Sequence, residues 1–138
     1  MTTEYTMENI STLPLQIKHD YPGYKLRAHH ELKLYKKNIK LVKENKKITT
    51  IRYEKDTLRY PVAKVLQLVE TSQEDNSYKN TIGTIGIKKI AVKRFGDLND
   101  DDALREGVRL GVAFLKEALK NIYGEIKQDE LISIYYFE

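Results

Sequence analysis

The chain changes character abruptly at Asn45, and that junction constrains its fold more than any other stretch. From Glu31 to Glu44, Leu32, Tyr35, Ile39 and Val42 recur at spacings of three and four, one apolar face of an amphipathic helix. Lys33, Lys36, Lys37, Lys40 and Lys43 fill the opposite side. Asn45 stands where a helix would end, and asparagine tolerates the left-handed backbone used there. Ile48 to Glu54 is then β-branched and aromatic, which predicts a strand. In a regular strand Thr50 shares a face with Ile48 and Arg52, and Thr49 shares one with Ile51 and Tyr53. Lys47 can cooperate with Thr50 only if a turn brings it round. The stretch Lys46-Lys47-Ile48-Thr49-Thr50-Ile51-Arg52 thus offers either a cradle for a phosphate or a hydroxyl armed for attack.

The flanking segments suggest a scaffold for that junction. Residues 1–30 contain two of the three prolines and no sustained period, so they read as a loose N-terminal extension with a strand near Leu13–Lys18. Asp56 to Pro61 reads as a polar connection, Val62 to Thr71 as a strand and Ser72 to Asn80 as an exposed loop. Thr81 to Phe95 carries Ile82, Ile85, Ile87, Ile90 and Val92 with glycines at 83 and 86, giving one long bent strand or two strands broken near Lys88-Lys89. Asn99 followed by three aspartates is a helix start, with the carboxylates at the positive end of the dipole. A calcium loop would need a glycine and a spacing that are missing. From Glu106 onward Val108, Val112, Leu115, Leu119 and Ile122 predict a long helix ending at Gly124, and Leu131 to Phe137 a covered strand. Strands joined by short polar loops, with few helices between them, predict an α+β domain: a small mixed or antiparallel β-barrel with flanking helices.

Charge narrows the partners. The net charge of +4 is modest, but between Lys33 and Lys55 nine basic residues face two acidic ones, a local balance of +7 against about −3 elsewhere. A basic patch on a nearly neutral body points to a polyanion. The nucleic-acid contacts expected from it are Lys36, Lys37, Lys40, Lys43, Lys46 and Arg52. Cysteine is absent, which fits a reducing compartment, with cytoplasm the default. No apolar run approaches the roughly 20 residues that span a bilayer, so a soluble protein without membrane contact is expected. Adjacent His29 and His30 cannot chelate one metal with good geometry, and no metal or cofactor is implied.

Three ordered pieces resemble the ASCH family of PUA-like folds. They are Asn45-Lys46-Lys47-Ile48-Thr49-Thr50-Ile51-Arg52, then Ile82 to Ile90, then Phe95-Gly96-Asp97-Leu98 through Ala103-Leu104-Arg105-Glu106-Gly107, closing with Ile132 to Phe137. The first piece is similar to the family's glycine-lysine-lysine-x-x-threonine-isoleucine-arginine signature, with Asn45 in place of the glycine. The resemblance covers residues 45–138 and implies an ASCH domain over 31–138. It also implies a PUA-like barrel and a partner that is RNA or a modified nucleoside. One bacterial branch with this pattern consists of amidohydrolases that deacetylate N(4)-acetylcytidine with a lysine, a threonine and a glutamate, which fall here on Lys47, Thr50 and Glu106. Other members are ribonucleases or RNA binders.

Amide cleavage needs a nucleophile, a base and an acid for the leaving amine. Thr50 can supply the hydroxyl and Glu106 the proton for the amine. Lys47 can act as base only if it can give up its proton, which burial and neighbouring cations favour and a close Glu106 opposes. The alternatives are a non-catalytic RNA-binding module, with Tyr35 and Tyr53 as stacking rings beside the basic helix, and a metal-independent ribonuclease. Each residue also has an ordinary reading: Thr50 as a strand residue, Lys47 as a helix-end cation, Glu106 as a solvent-facing helix residue.

Overall fold

Alternation, caps and turns resolve the chain, in a computed structural model that describes residues 2–138, into strands β1 (Thr2–Thr6), β2 (Lys25–His29), β3 (Glu31–Tyr35), β4 (Thr49–Arg52), β5 (Thr57–Pro61), β6 (Val65–Thr71), β7 (Lys79–Arg94) and β8 (Leu131–Phe137). The helices are α1 (Leu13–Asp20), α2 (Lys36–Lys43), α3 (Asp100–Arg105) and α4 (Val112–Tyr123).

β7 is the spine. Its first half pairs with β6 and its second half with β8, both antiparallel, while β1 lies along the other edge of that second half. The register slips between Ile87 and Lys89, leaving Lys88 as an extra residue, so the segment is one long strand bent by a bulge. The main path runs β3-β6-β7-β8-β4, with β3 parallel to β6, and β2 pairs in parallel with β5. The bend curls this path into a half-barrel, the α+β architecture expected. Its two end strands, β3 and β4, face each other across a seam, where Arg52 Nη2 donates to the Lys33 carbonyl at 2.8 Å.

β8 lies between β7 and β4, which explains its apolar character on both faces. Tyr135 and Phe137 enter one core with Tyr5, Leu13, Ile17, Leu32 and Ile90, and Ile132 and Ile134 enter a second with Phe95, Ala103, Leu115 and Leu119. The first thirty residues, expected as a loose extension, supply β1, α1 and β2 to this body, and Tyr5, Met7, Leu13 and Ile17 are buried in it.

Several local expectations are corrected. Leu13–Lys18 is helical, not extended, and Pro14 sits at its start, where a missing N–H costs nothing. Glu31–Tyr35 is a strand: Leu32 and Leu34 are buried while Lys33 between them is exposed, and the helix begins only at Lys36. Residues 57–61 are a strand paired with β2 rather than a connection. The long helix expected from Glu106 begins only at Val112: Glu106 is the C-cap of a separate short helix ending at Arg105, and Gly107 and Gly111 both adopt positive φ, of 82° and 95°, between the two. Ile122, placed on the core face, is exposed.

Two local readings match. Asn99 caps α3 in a full capping box, accepting from the Asp102 amide while Asp102 accepts from the Asn99 amide, each at 2.9 Å. Burial pushes the Asp102 carboxyl up, but bonds from Lys93, the Asn99 amide and Arg105 outweigh it and hold the carboxyl below the usual carboxylate range. Asn45 adopts φ 57° at the end of α2.

Candidate functional site

Two helix ends meet at the site. At the end of α2 the Asn45 amide donates to the Val42 carbonyl at 3.1 Å and the Lys46 amide to the Leu41 carbonyl at 2.9 Å, the crossed pair of a Schellman turn. The end of α3 repeats it: the Gly107 amide donates to Leu104 at 3.0 Å and the Val108 amide to Ala103 at 2.9 Å. The turns abut, since a Cβ on Gly107 would lie 3.1 Å from the Lys46 carbonyl oxygen. The Ile48 amide donates to the Arg105 carbonyl at 2.8 Å. The first turn delivers Lys47 and the second Glu106, so Glu106 caps a helix instead of standing on a solvent-facing side of one.

The two side chains form a buried ion pair, Lys47 Nζ to Glu106 Oε1 at 3.0 Å, with Lys47 6% and Glu106 8% exposed. Thr49 Oγ1 donates to the other carboxylate oxygen at 2.5 Å. Lys47, Thr50, Arg52 and Glu106 line one cavity of about 340 Å³ in the β3–β4 seam, walled by Tyr35 and Leu119 among others. Thr50 is buried and borders the same void as Lys47 and Glu106. The arrangement therefore places a hydroxyl, an ammonium and a carboxylate around one void. That void falls within the roughly 300–1,000 Å³ typical of small-molecule sites. Both helices point their C-terminal, negative ends toward this region, which suits the Lys47 cation.

The remaining sequence-predicted residues divide. Arg52 lies on the cavity. Lys36, Lys37, Lys40, Lys43 and Lys46 are exposed on or just beyond α2, and Lys46 pairs with Glu44 at 3.4 Å. Lys36 and Lys37 border a larger cavity of about 500 Å³, but Glu70, Glu74 and Asp75 border it too, an excess of carboxylates that suits an anion poorly. Tyr53, expected as a stacking ring, is buried in the second core, its hydroxyl donating to Glu130 at 2.6 Å. Tyr35 is half-buried and borders both cavities.

Thr49 was missed as a site residue. A strand register assigns it to the face away from Thr50, yet a carboxylate has two oxygens, and Glu106 spends one on Lys47 and the other on Thr49. The adjacent hydroxyls of Thr49-Thr50 were the available signal.

The half-barrel with its flanking helices and seam site defines an ASCH-like, PUA-type architecture. A crystal structure of an ASCH domain from Lactobacillus crispatus superimposes with a TM-score of 0.52, covering 94% of this chain and 87% of that one at 14% sequence identity. No protein-family model and no curated protein matches the chain. At that identity the likeness establishes the fold. Among the described residues no helix is long and apolar enough to cross a membrane.

Proposed function

We propose that the protein is an amidohydrolase that removes the acetyl group of N(4)-acetylcytidine, as a nucleoside or within RNA. The observation that carries this reading is the burial of Lys47, Thr50 and Glu106 around one nucleoside-sized cavity. The close Lys47–Glu106 pair gives the chemistry a specific form. For Lys47 to accept a proton and Glu106 to donate one, the ion pair has first to pass a proton from Lys47 to Glu106, and the 3.0 Å bond is its direct route. Lys47 then takes the Thr50 proton as Oγ1 attacks the acetyl carbon. The C–N bond breaks, Glu106 protonates the departing amine, and the acetyl group remains as an ester on Thr50. In the second half Glu106 takes a proton from water as the resulting hydroxide attacks the ester. Lys47 returns its proton to Thr50, acetic acid leaves, and the starting state is restored. Thr49 holds the carboxylate in place throughout and acts as a positioning residue.

The test is incubation of the purified chain with N(4)-acetylcytidine, following cytidine release. Turnover is expected in the wild type and its loss in Lys47→Ala and Thr50→Val. No turnover, or turnover unchanged by either substitution, refutes the reading.

A second reading, RNA docking on the lysine face of α2, is favoured by the exposure of Lys36, Lys37 and Lys40. It predicts affinity that falls steeply with salt and with charge reversal at those three positions. Affinity insensitive to both excludes it.

A further inference from the structure

A second cavity, of about 350 Å³, opens in the same seam and shares Lys33 and Arg52 with the first. We infer that this cavity, bounded by Arg27, His29, Arg52, Arg59 and Tyr135, is a phosphate subsite, so that the neighbouring cavity receives cytidine as part of a nucleotide. The second half of this inference rests on the amidohydrolase reading; the first does not.

The argument begins with unmet hydrogen bonds. Buried polar atoms in folded proteins nearly always have partners, because an orphan loses its hydration without compensation. Among the described residues four buried side-chain polar atoms lack one, and three of them belong to residues that line this cavity: Arg52 Nε, His29 Nε2 and the Tyr135 hydroxyl. Tyr135 is 1% exposed and sits in the central strand β8, where its ring meets His29 edge-on at 6.3 Å. A large aromatic in a core is ordinarily served by phenylalanine. A hydroxyl there, carried by a cavity-lining residue and bonded to nothing, fits a donor waiting for an acceptor.

The donors share a charge environment that selects the acceptor. Arg27, Arg52, Arg59 and Lys33 border the cavity with Glu31 as its carboxylate. Glu54 Oε1 engages Arg27 Nη1 at 2.7 Å and Arg59 Nη2 at 2.9 Å, so one carboxylate serves two guanidiniums. Four cations against two carboxylates leave an excess of two positive charges, in contrast to the carboxylate-rich cavity beside Lys36. Burial, with Arg59, Arg52 and Arg27 adding to it and Glu54 opposing, pushes His29 down to about 4, so near neutrality it is an uncharged imidazole able to donate from Nε2. Burial raises the Tyr135 phenol, which remains a donor. Guanidiniums with neutral O–H and N–H donors form the set that binds phosphate oxygens. The shared Arg52 places such an anion next to the cavity holding Lys47, Thr50 and Glu106, the relation of a phosphate to the base of its own nucleotide or of its neighbour in RNA.

Calorimetric titration of the full chain with inorganic phosphate, cytidine 5′-monophosphate and cytidine tests the subsite. Phosphate and the nucleotide are expected to bind, the nucleotide about tenfold or more tighter than cytidine, as one or two charge-assisted hydrogen bonds require. Arg59→Ala is expected to weaken phosphate binding about tenfold. Tyr135→Phe should weaken it several-fold while raising the melting temperature of the unliganded protein, because it deletes an orphaned hydroxyl; a purely structural role would not separate the two readouts. Absence of phosphate binding, or binding that both variants leave unchanged, overturns the subsite. If phosphate binds as described and neither N(4)-acetylcytidine nor its 5′-monophosphate is deacetylated, the amidohydrolase reading falls and the subsite stands. If both substrates are cleaved with equal kcat/KM and phosphate does not bind, the reverse holds. Comparing the 5′-monophosphate with a short acetylated RNA distinguishes a free nucleotide from a phosphodiester as the source.

Discussion

Replacing Lys47 by methionine roughly keeps the length of the side chain and removes its charge, leaving the buried Glu106 with only Thr49 as partner. Breaking a buried ion pair from one side costs about 3–5 kcal/mol. A chain of 138 residues unfolds with an entropy of about 0.29 kcal/mol/K at the usual 2.1 cal/mol/K per residue, so the melting temperature should fall by about 10–17 °C. The double variant Lys47→Met with Glu106→Leu removes both charges, and such replacements are often neutral or stabilising. It should recover most of the loss, less about 1 kcal/mol for the Thr49 hydroxyl that then lacks its acceptor. Thermal melts monitored by circular dichroism, with urea midpoints as a second measure, suffice. A drop below about 3 °C in Lys47→Met, or a double variant whose loss is the sum of the singles, would show that the two charges are not coupled. It would also refute the proton route assigned to their contact.

Two further outcomes are expected. His29 is held at about 4 in the fold and lies near 6.5 when unfolded, so below pH 6.5 the unfolded chain binds the extra proton. Stability should therefore be full above pH 6.5 and fall toward pH 4, with a slope of at most about 1.4 kcal/mol per pH unit; urea midpoints across that range should flatten in His29→Gln, and an unchanged slope would disprove the assignment. Gly107→Ala forces a Cβ into a positive-φ position, 3.1 Å from the Lys46 carbonyl, and should cost about 1–2 kcal/mol or more, a fall of about 3–7 °C. Gly23→Ala, with open space around it, is the control, and equal melting temperatures for the two variants would contradict the abutting turns.

What could be read ahead of the structure was local chemistry. Asn45 and Asn99 mark their helix ends because a left-handed turn and a capping box depend on residues within a few positions, and both stand where expected. The misreadings arose where two periods coexist. Leu32 and Tyr35 satisfy a helical spacing, but Leu32 and Leu34 also alternate, and pairing with β6 favoured the strand. β5 is short and mixed in polarity, and it is held by β2, a partner that no local pattern identifies. The grouping of Lys47 with Glu106 came through the family resemblance alone, since nothing within either segment announces a contact between two helix ends. Thr49, His29, Arg27, Arg59 and Tyr135 were not singled out as site residues, because their importance lies in unmet or shared hydrogen bonds that exist only after the sheet has curled.

The abutting turns also fix when the site can exist. Lys47 and Glu106 are separated by 59 residues, and between them lie β5, β6 and the whole of β7. β6 and β7 are neighbours in sequence and can pair with little loss of chain entropy, whereas the loop between Lys47 and Glu106 can close only once both helix ends are formed and docked. During synthesis the lysine and both threonines leave the ribosome well before the glutamate, and β4 must wait longer still for β8 at the chain's far end. Until then Lys47 is a solvated cation and Thr50 an ordinary hydroxyl. The ion pair that defines the candidate site consequently forms only when the two helix ends have docked.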